Sequence, residues 1–426
     1  MVSKWRWLVL QLTRTLWIRA ALFCLLAVLT ALLAIVLDPL IPVELPGTIG
    51  ADAVDHILDI LASSMLAVTT FSLTVMVSAY SAATNNVTPR ATGLLLQDTT
   101  SQNVLSTFLG TFLFSLVGII ALSTGAYGRQ GRVVLFVVSL FVIVMVVLAM
   151  LRWIDHLSRF GQVADTTQRV EQATLQALAI RMQSPYLGGM ALINPTTQIP
   201  RSAAAVLSRE IGYIQHLDVE HLSRCAEEFK GHVYATEAVG SFVHTATPLA
   251  WVDGIALKNT EFIHKAFTIG PARSFDQDPR FGLRVLSEIA SKALSPAMND
   301  PGTAIDVISR AVRILSRLGD GQGSDVAVEC PRVWVPPITA HECFDDIFTP
   351  IARDGAGLIE VQLMLQKAFY ALAAHAPLVL AEAALQHSKT ALTRAEGALV
   401  LDEEKLLVSA AVARLKQLAV PQDHAR

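Results

Sequence analysis

The chain has 426 residues, 53% of them hydrophobic and only 16% charged, with a formal net charge of −3 and a mean hydropathy of +0.48. Soluble proteins of this size carry about 25% charged residues, so part of this chain belongs in lipid, and the mildly acidic balance leaves no basic footprint for nucleic acid. The apolar excess lies before Leu151, and the remainder has an ordinary soluble charge density.

The N-terminus runs Lys4-Trp5-Arg6-Trp7, then Arg14, Trp17 and Arg19, and then an apolar stretch over residues 20–37 that ends in Asp38-Pro39. No small-residue cleavage site precedes a polar start, so this stretch reads as a retained first span with tryptophans at the interface. Cys24 sits inside it. Cys24, Cys225, Cys330 and Cys343 form no CxxC pair and read as buried thiols in a reducing compartment.

Residues 57–81 form the predicted second span. About 20 residues at 1.5 Å rise cross the ~30 Å hydrocarbon core, yet this span is not uniformly apolar. Ser63, Thr70, Thr74, Ser78 and Ser81, with Ala67, recur at spacings of three, four or seven. At about 100° per residue they fall within one narrow arc. Lipid has no use for such a face, so the five hydroxyl residues are the candidate pore-lining set. At the other end of the span, Asp52, Asp55 and Asp59 would repeat as an acidic outer ring in a symmetric oligomer, which favours cations. The ordinary explanation is that first-turn acids complement a helix dipole and stay solvated.

The third span covers residues 104–123 and carries a small stripe of its own, Thr107, Thr111, Ser115 and Gly118, suited to close helix approach. The second and third spans are therefore expected to pack together inside the first and fourth. The fourth, residues 133–151, is nearly all Val, Leu, Ile, Phe and Met and is expected to meet lipid. Residues 80–103 make a polar connector. Asn85-Asn86 marks a turn, Thr88-Pro89-Arg90 restarts the chain, and Leu94-Leu95-Leu96 before Gln97-Asp98 looks amphipathic. Either an elbow helix or a cap over the inner mouth of a pathway fits, with Asn85, Asn86, Arg90 and Asp98 as its candidate residues. The Lys/Arg bias places both termini in the cytoplasm.

Residues 152–183 read as a helical connector continuing the fourth span. Residues 201–253 show short strands separated by Gly, Thr and Pro, with Asp218 as a cap for one helix, which suggests a small β-barrel-like module. The last two strands look like a hairpin of biotinyl/lipoyl-type barrels, but no lysine sits at the turn, so no carrier cofactor is expected. Residues 254–426 are mainly helical, with a strand-like piece over 326–335. The densest motif is Ser295-Pro296-Ala297-Met298-Asn299-Asp300-Pro301-Gly302-Thr303-Ala304, a joint in which Asp300 caps a helix with Pro301 at its first position. Asp276-Gln277-Asp278-Pro279 starts the preceding helix in the same way. Asp278, Asn299, Asp300 and Thr303 are candidates for contact with a ligand or a neighbouring subunit, and plain caps account for them as well.

At Thr88-Pro89-Arg90, Asp98, Gln102-Asn103-Val104-Leu105, Gln277-Asp278-Pro279-Arg280-Phe281-Gly282 and the 295–304 motif, the chain resembles the bacterial membrane proteins grouped as domain of unknown function 2254. The likeness covers nearly the whole chain, with Thr88 where serine often precedes proline–arginine. It implies a multi-pass inner-membrane protein with a cytoplasmic domain, and it brings no catalytic residue.

The fold class expected is an α-helical membrane protein: four transmembrane helices within residues 1–151 and a cytoplasmic α+β domain. No GxSxG, P-loop or HExxH occurs, so no enzyme, catalytic residue, metal site or cofactor is expected. The expected partners are the lipid bilayer, further copies of the chain in a homo-oligomer, and a small ion or metabolite; no nucleic acid is among them. A channel with the second span lining its pathway is the leading reading, and a membrane-anchored binding or scaffold protein is the other.

Overall fold

A computed structural model describes residues 16–37, 51–125, 129–320 and 328–419. The basic N-terminal stretch with Trp5 and Trp7, the Asp38-Pro39 end of the first apolar run, and the side chains of Asp52 and Asn86 lie outside the described residues. The chain divides into two compact units, Leu8–Thr166 and Thr167–Arg426.

The first unit contains α1 (Leu16–Leu37), α2 (Ala51–Asn86), α3 (Pro89–Leu96), α4 (Thr99–Ser123) and α5 (Arg129–Leu157). Among the described residues three helical stretches are long and apolar enough to cross a membrane: Ala53–Asn85, Thr99–Ser123 and Gly131–Leu157. α1 adds a shorter apolar stretch, Ala20–Thr30.

α4 is the hub. It packs against α1, α2 and α5, and it is the most buried of the three long helices. Its small stripe explains this, because Thr107, Thr111, Ser115 and Gly118 are all buried. A Cβ on Gly118 would stand 2.9 Å from Leu58 Cδ1, so the approach of α2 depends on glycine there. Val54, Leu58 and Met65 of α2, Val104, Phe108 and Phe114 of α4, and Leu135, Val142 and Val146 of α5 form the shared core. The expected pairing of the second and third spans holds, but α2 is peripheral rather than internal. Its branched and thioether side chains fill the space beside α4, and its hydroxyl face turns away. α5 likewise leaves Val137, Phe141, Val144, Leu148 and Leu151 exposed.

The connector folds as an elbow helix. Thr88 caps α3, with Pro89 at the first turn, and α3 buries Ala91, Thr92 and Leu95 while Leu96 stays exposed. The expected continuous helix after the fourth span is broken instead. α5 ends at Leu157, Gly161 adopts φ +81° against Ala79, and α6 (Val163–Gln183) starts afresh.

In the second unit, β1 (Met190–Ala191), α7 (Pro195–Gln198), β2 (Ala204–Leu207), β3 (Gly212–Leu217), α8 (Val219–Glu228), β4 (His232–Ala235), β5 (Phe242–Val243), β6 (Pro248–Asp253), α9 (Glu261–Ala266) and β7 (Phe267–Gly270) lead into α10 (Pro279–Ala293) and α11 (Pro301–Asp320). β8 (Val333–Val335), α12 (Ala340–Asp354), α13 (Ile359–His375), α14 (Pro377–Ala398) and α15 (Asp402–Ala419) follow. The strands form two open sheets, ordered β1-β8-β4-β6-β2 and β5-β3-β7, and among the described residues no barrel closes. The barrel-like reading is therefore corrected. β1 and β8 enter the first sheet by parallel pairing, and β3 pairs away from β2 with β5 and β7. Val206, Ile214, Leu222, Val233, Val252 and Ile263 belong to one core shared by both sheets, α8 and α9. The later helices pack on one another around Phe344, Phe348 and Phe369.

Candidate functional site

The hydroxyl face of α2 is uncovered within the chain. Ser63, Thr70, Thr74, Ser78 and Ser81 are all exposed, and so is Ala67. Asp55 and Asp59, one turn apart near the helix start, are exposed on the same helix. The hydroxyls do not hang free. Ser63 Oγ donates to the Asp59 carbonyl at 2.9 Å, Thr70 Oγ1 to Leu66 at 2.9 Å and Thr74 Oγ1 to Thr70 at 3.0 Å. Each hydroxyl keeps lone pairs for a further partner. Leu66, Phe71, Leu73 and Val77 flank this face and are exposed too.

At the other end of α2 lies the elbow. Asn85 and Arg90 are exposed there, while Asp98 is buried. Asp98 caps α4 by accepting from Ser101 N–H at 2.7 Å. Its carboxylate also lies 3.0 Å from His156 Nε2, and Ser101 Oγ is 3.1 Å from that same nitrogen. A hydrolytic triad needs serine and aspartate on opposite nitrogens of the ring. Here both meet Nε2, so the cluster is a latch between the ends of α4 and α5, packed by Trp153 and Phe160. Composition gave no sign of it, because His156 lies far from Asp98 in sequence.

Two motif residues of the second unit, Asp278 and Asp300, are helix caps. Asp278 accepts from Phe281 N–H at 3.1 Å and holds Arg273 bidentately, Nε at 2.8 Å and NH2 at 2.9 Å. Burial pushes the Asp278 carboxyl above its ordinary value, against the pull of Arg273. Arg181 on α6 feels the Asp278 charge; burial lowers its pKa to about 10. Gly240 gives the carboxylate room, since a Cβ there would collide with Asp278 Oδ2. Asp300 caps α11, accepting from Thr303 N–H at 3.0 Å and from its hydroxyl at 2.6 Å. Asn299 sits at φ +48° in the turn before it and is exposed. The four motif residues thus divide between two helix starts.

Arg310 and Arg313 of α11 both reach Glu171 of α6, Arg310 NH1 at 2.6 Å and Arg313 Nε at 2.7 Å. Burial opposes the charge on Glu171, but the hydrogen bonds from Arg313 and Arg310 outweigh it and hold the carboxyl below its ordinary value.

Residues 13–371 match the model of a family described as predicted membrane protein, domain of unknown function 2254. The chain belongs to this family. Family 2254 is thus shown for most of both units. Similar relatives are proteins named as uncharacterized in Mycobacterium bovis and in Mycobacterium tuberculosis strain H37Rv, each 29% identical over 249 residues. That match covers 56% of this chain and 47% of each relative, so the chain spans about half the length of the curated relatives it matches. No solved structure matches this member of family 2254.

Proposed function

We propose that this protein is the subunit of a homo-oligomeric channel in the bacterial inner membrane, with α2 lining the pathway. Four spans per subunit, α1 among them, put both termini in the cytoplasm, and the unit from Thr167 onward gates or assembles the oligomer there. The reading is non-catalytic. One observation carries it: a membrane-length helix leaves a continuous hydroxyl face uncovered, from Ser63 to Ser81, with Asp55 and Asp59 beyond it. Copies of that face around an axis would give a wet lining with an acidic ring at one mouth, a device that favours cations.

The test is the purified full-length protein in liposomes with a cation-flux readout. Flux that disappears in Thr70→Leu/Thr74→Leu, with oligomeric state unchanged, supports the pathway. Absence of flux across salt, pH and membrane tension, or a monomer in mild detergent, overturns it.

A second reading, an anchored scaffold without transport, is favoured by the back-bonding of Ser63, Thr70 and Thr74 to their own helix. Hydroxyls satisfied this way tolerate lipid or a close helix partner. Under that reading the double leucine variant keeps its fold, and assembly changes in place of flux.

A further inference from the structure

Two helices of the second unit bring together side chains that no motif marked. α12 opens with a capping box, Thr339 and Glu342 each bonding the other's backbone, which fixes its first turn. His341 and Asp345, four residues apart, therefore share one face. α14 packs on α12 and brings Gln386 and His387 to that face. One ligand atom each from His341, Asp345 and His387 lies within 4.8 Å of the other two.

His387 is built into this spot. Its side chain is 8% exposed, and its ring is held by Phe344 at 5.6 Å and Phe369 at 6.4 Å between centroids. Its Nε2 is buried and stands 3.4 Å from Asp345 Oδ1, yet it has no aligned hydrogen-bond partner among the described residues. Burial lowers its pKa to about 4, so the imidazole is neutral near pH 7 and has a lone pair to give.

His341 is oriented from behind. Its Nε2 lies 2.9 Å from Gln386 Oε1, an acceptor, so Nε2 carries the proton. The other nitrogen, Nδ1, faces Asp345 Oδ2 at 3.1 Å. The bond to Gln386 and the Asp345 charge raise the His341 pKa, and in the neutral ring a lone pair stands against the carboxylate, with His387 alongside. A cation at their centre satisfies all three. Tetrahedral metal–N/O distances of about 2.0–2.1 Å require ligand–ligand separations of about 3.3–3.4 Å. The separations to Asp345 are 3.1 Å from His341 Nδ1 to Oδ2 and 3.4 Å from His387 Nε2 to Oδ1, so each imidazole stands near that edge on a different oxygen of the carboxylate.

We propose that His341, Asp345 and His387 bind one divalent transition ion of the zinc class, with Gln386 as the positioning residue. Two imidazoles and one carboxylate suit zinc, cobalt or ferrous iron, whereas magnesium and calcium prefer all-oxygen shells. The His341 and Asp345 side chains are 46% and 53% exposed, so a fourth position stays open to water or an anionic group. The site is independent of the channel reading.

The test uses the full-length protein in detergent, stripped with chelator, then titrated with Co²⁺ by visible absorption and with Zn²⁺ by calorimetry. One Co²⁺ per chain is expected, with the intense bands of a four-coordinate site, displaced by Zn²⁺ and not by Mg²⁺. His341→Ala and Asp345→Ala each weaken Zn²⁺ at least about tenfold, and Gln386→Ala weakens it by a similar order through loss of orientation. Because His387 is part of the core, the two exposed ligands carry the decision. Failure to bind Co²⁺ or Zn²⁺ stoichiometrically, or affinity unchanged in both His341→Ala and Asp345→Ala, overturns the site.

Discussion

Arg313 grips Glu171 with both sides of its guanidinium fork, Nε at 2.7 Å from Oε1 and NH2 at 3.0 Å from Oε2. Arg310 adds a third bond to Oε2, and the Glu171 side chain is only 9% exposed. Removing the carboxylate leaves the Arg310 charge, whose side chain is 13% exposed, to the half-exposed Asp306 at 2.7 Å from its Nε. Glu171→Gln should therefore cost about 3 kcal/mol. Arg313→Ala should cost less, about 1 kcal/mol, because that side chain is half exposed. Denaturant titration of the full-length protein in detergent, followed by near-ultraviolet circular dichroism, separates the two.

The same carboxyl sets a pH dependence. When folded, Glu171 titrates below the 4.5 of an ordinary glutamate, so the folded state binds fewer protons than the unfolded state as the medium turns acid. Its contribution is complete above about pH 4.5 and is lost as pH falls through the lower folded value. The gap in melting temperature between wild type and Glu171→Gln should be constant from pH 8 to about 5 and should narrow below it. A gap that widens toward acid contradicts the ion pair.

At the elbow, Asp98 serves as a cap and as a partner to His156 at once. Asp98→Ala should cost about 1–2 kcal/mol, by loss of the cap and of a charge-assisted contact. Ser101 is not a nucleophile in this arrangement, since it shares Nε2 with Asp98. A fluorophosphonate probe should leave Ser101 unlabelled, as judged by intact-protein mass spectrometry. Labelling there would mean that the latch rearranges into a working triad.

The helices α10 and α11 were legible because Asp278-Pro279 and Asp300-Pro301 announce their starts locally, and the caps form as those pairs imply. α12 carried an equally local signal in Thr339 and Glu342, a capping-box pair that the sequence reading did not include among its helix starts. The parallel pairing of Met190 with Trp334 joins residues far apart in sequence, and no local pattern encodes such a partner. The hydroxyl arc of α2 was legible as an arc, while its direction was not. Which face turns inward depends on how Leu58 fits beside Gly118 on another helix. His341 and His387 meet only because α12 packs on α14.

That direction can be read chemically. In Thr70→Cys and Thr74→Cys the thiol stands on the uncovered face, whereas in Ser72→Cys it is buried. In proteoliposomes a charged, water-borne maleimide should label positions 70 and 74 and leave position 72 unmodified. Positions 70 and 74 that stay unlabelled in the bilayer but react in denaturant face lipid or a dry interface, which removes the channel reading.

The glycines of the first unit give a matched pair of opposite expectations. Gly118 lies under Leu58 of α2, with 2.9 Å between the position of an added Cβ and Leu58 Cδ1. Leu58 is fully buried and cannot swing clear without opening the core around Phe108 and Phe114. Gly118→Val should lower stability by about 1–3 kcal/mol through overpacking. Gly93 sits in α3 with nothing within 4 Å of an added Cβ, so only its backbone freedom matters. Gly93→Ala should leave stability unchanged or raise it by up to about 1 kcal/mol. Melting of detergent-solubilised variants, followed by size-exclusion chromatography, should move the two midpoints in opposite directions. If both variants melt like wild type, α2 does not rest on Gly118, and the hub position of α4 would have to be abandoned.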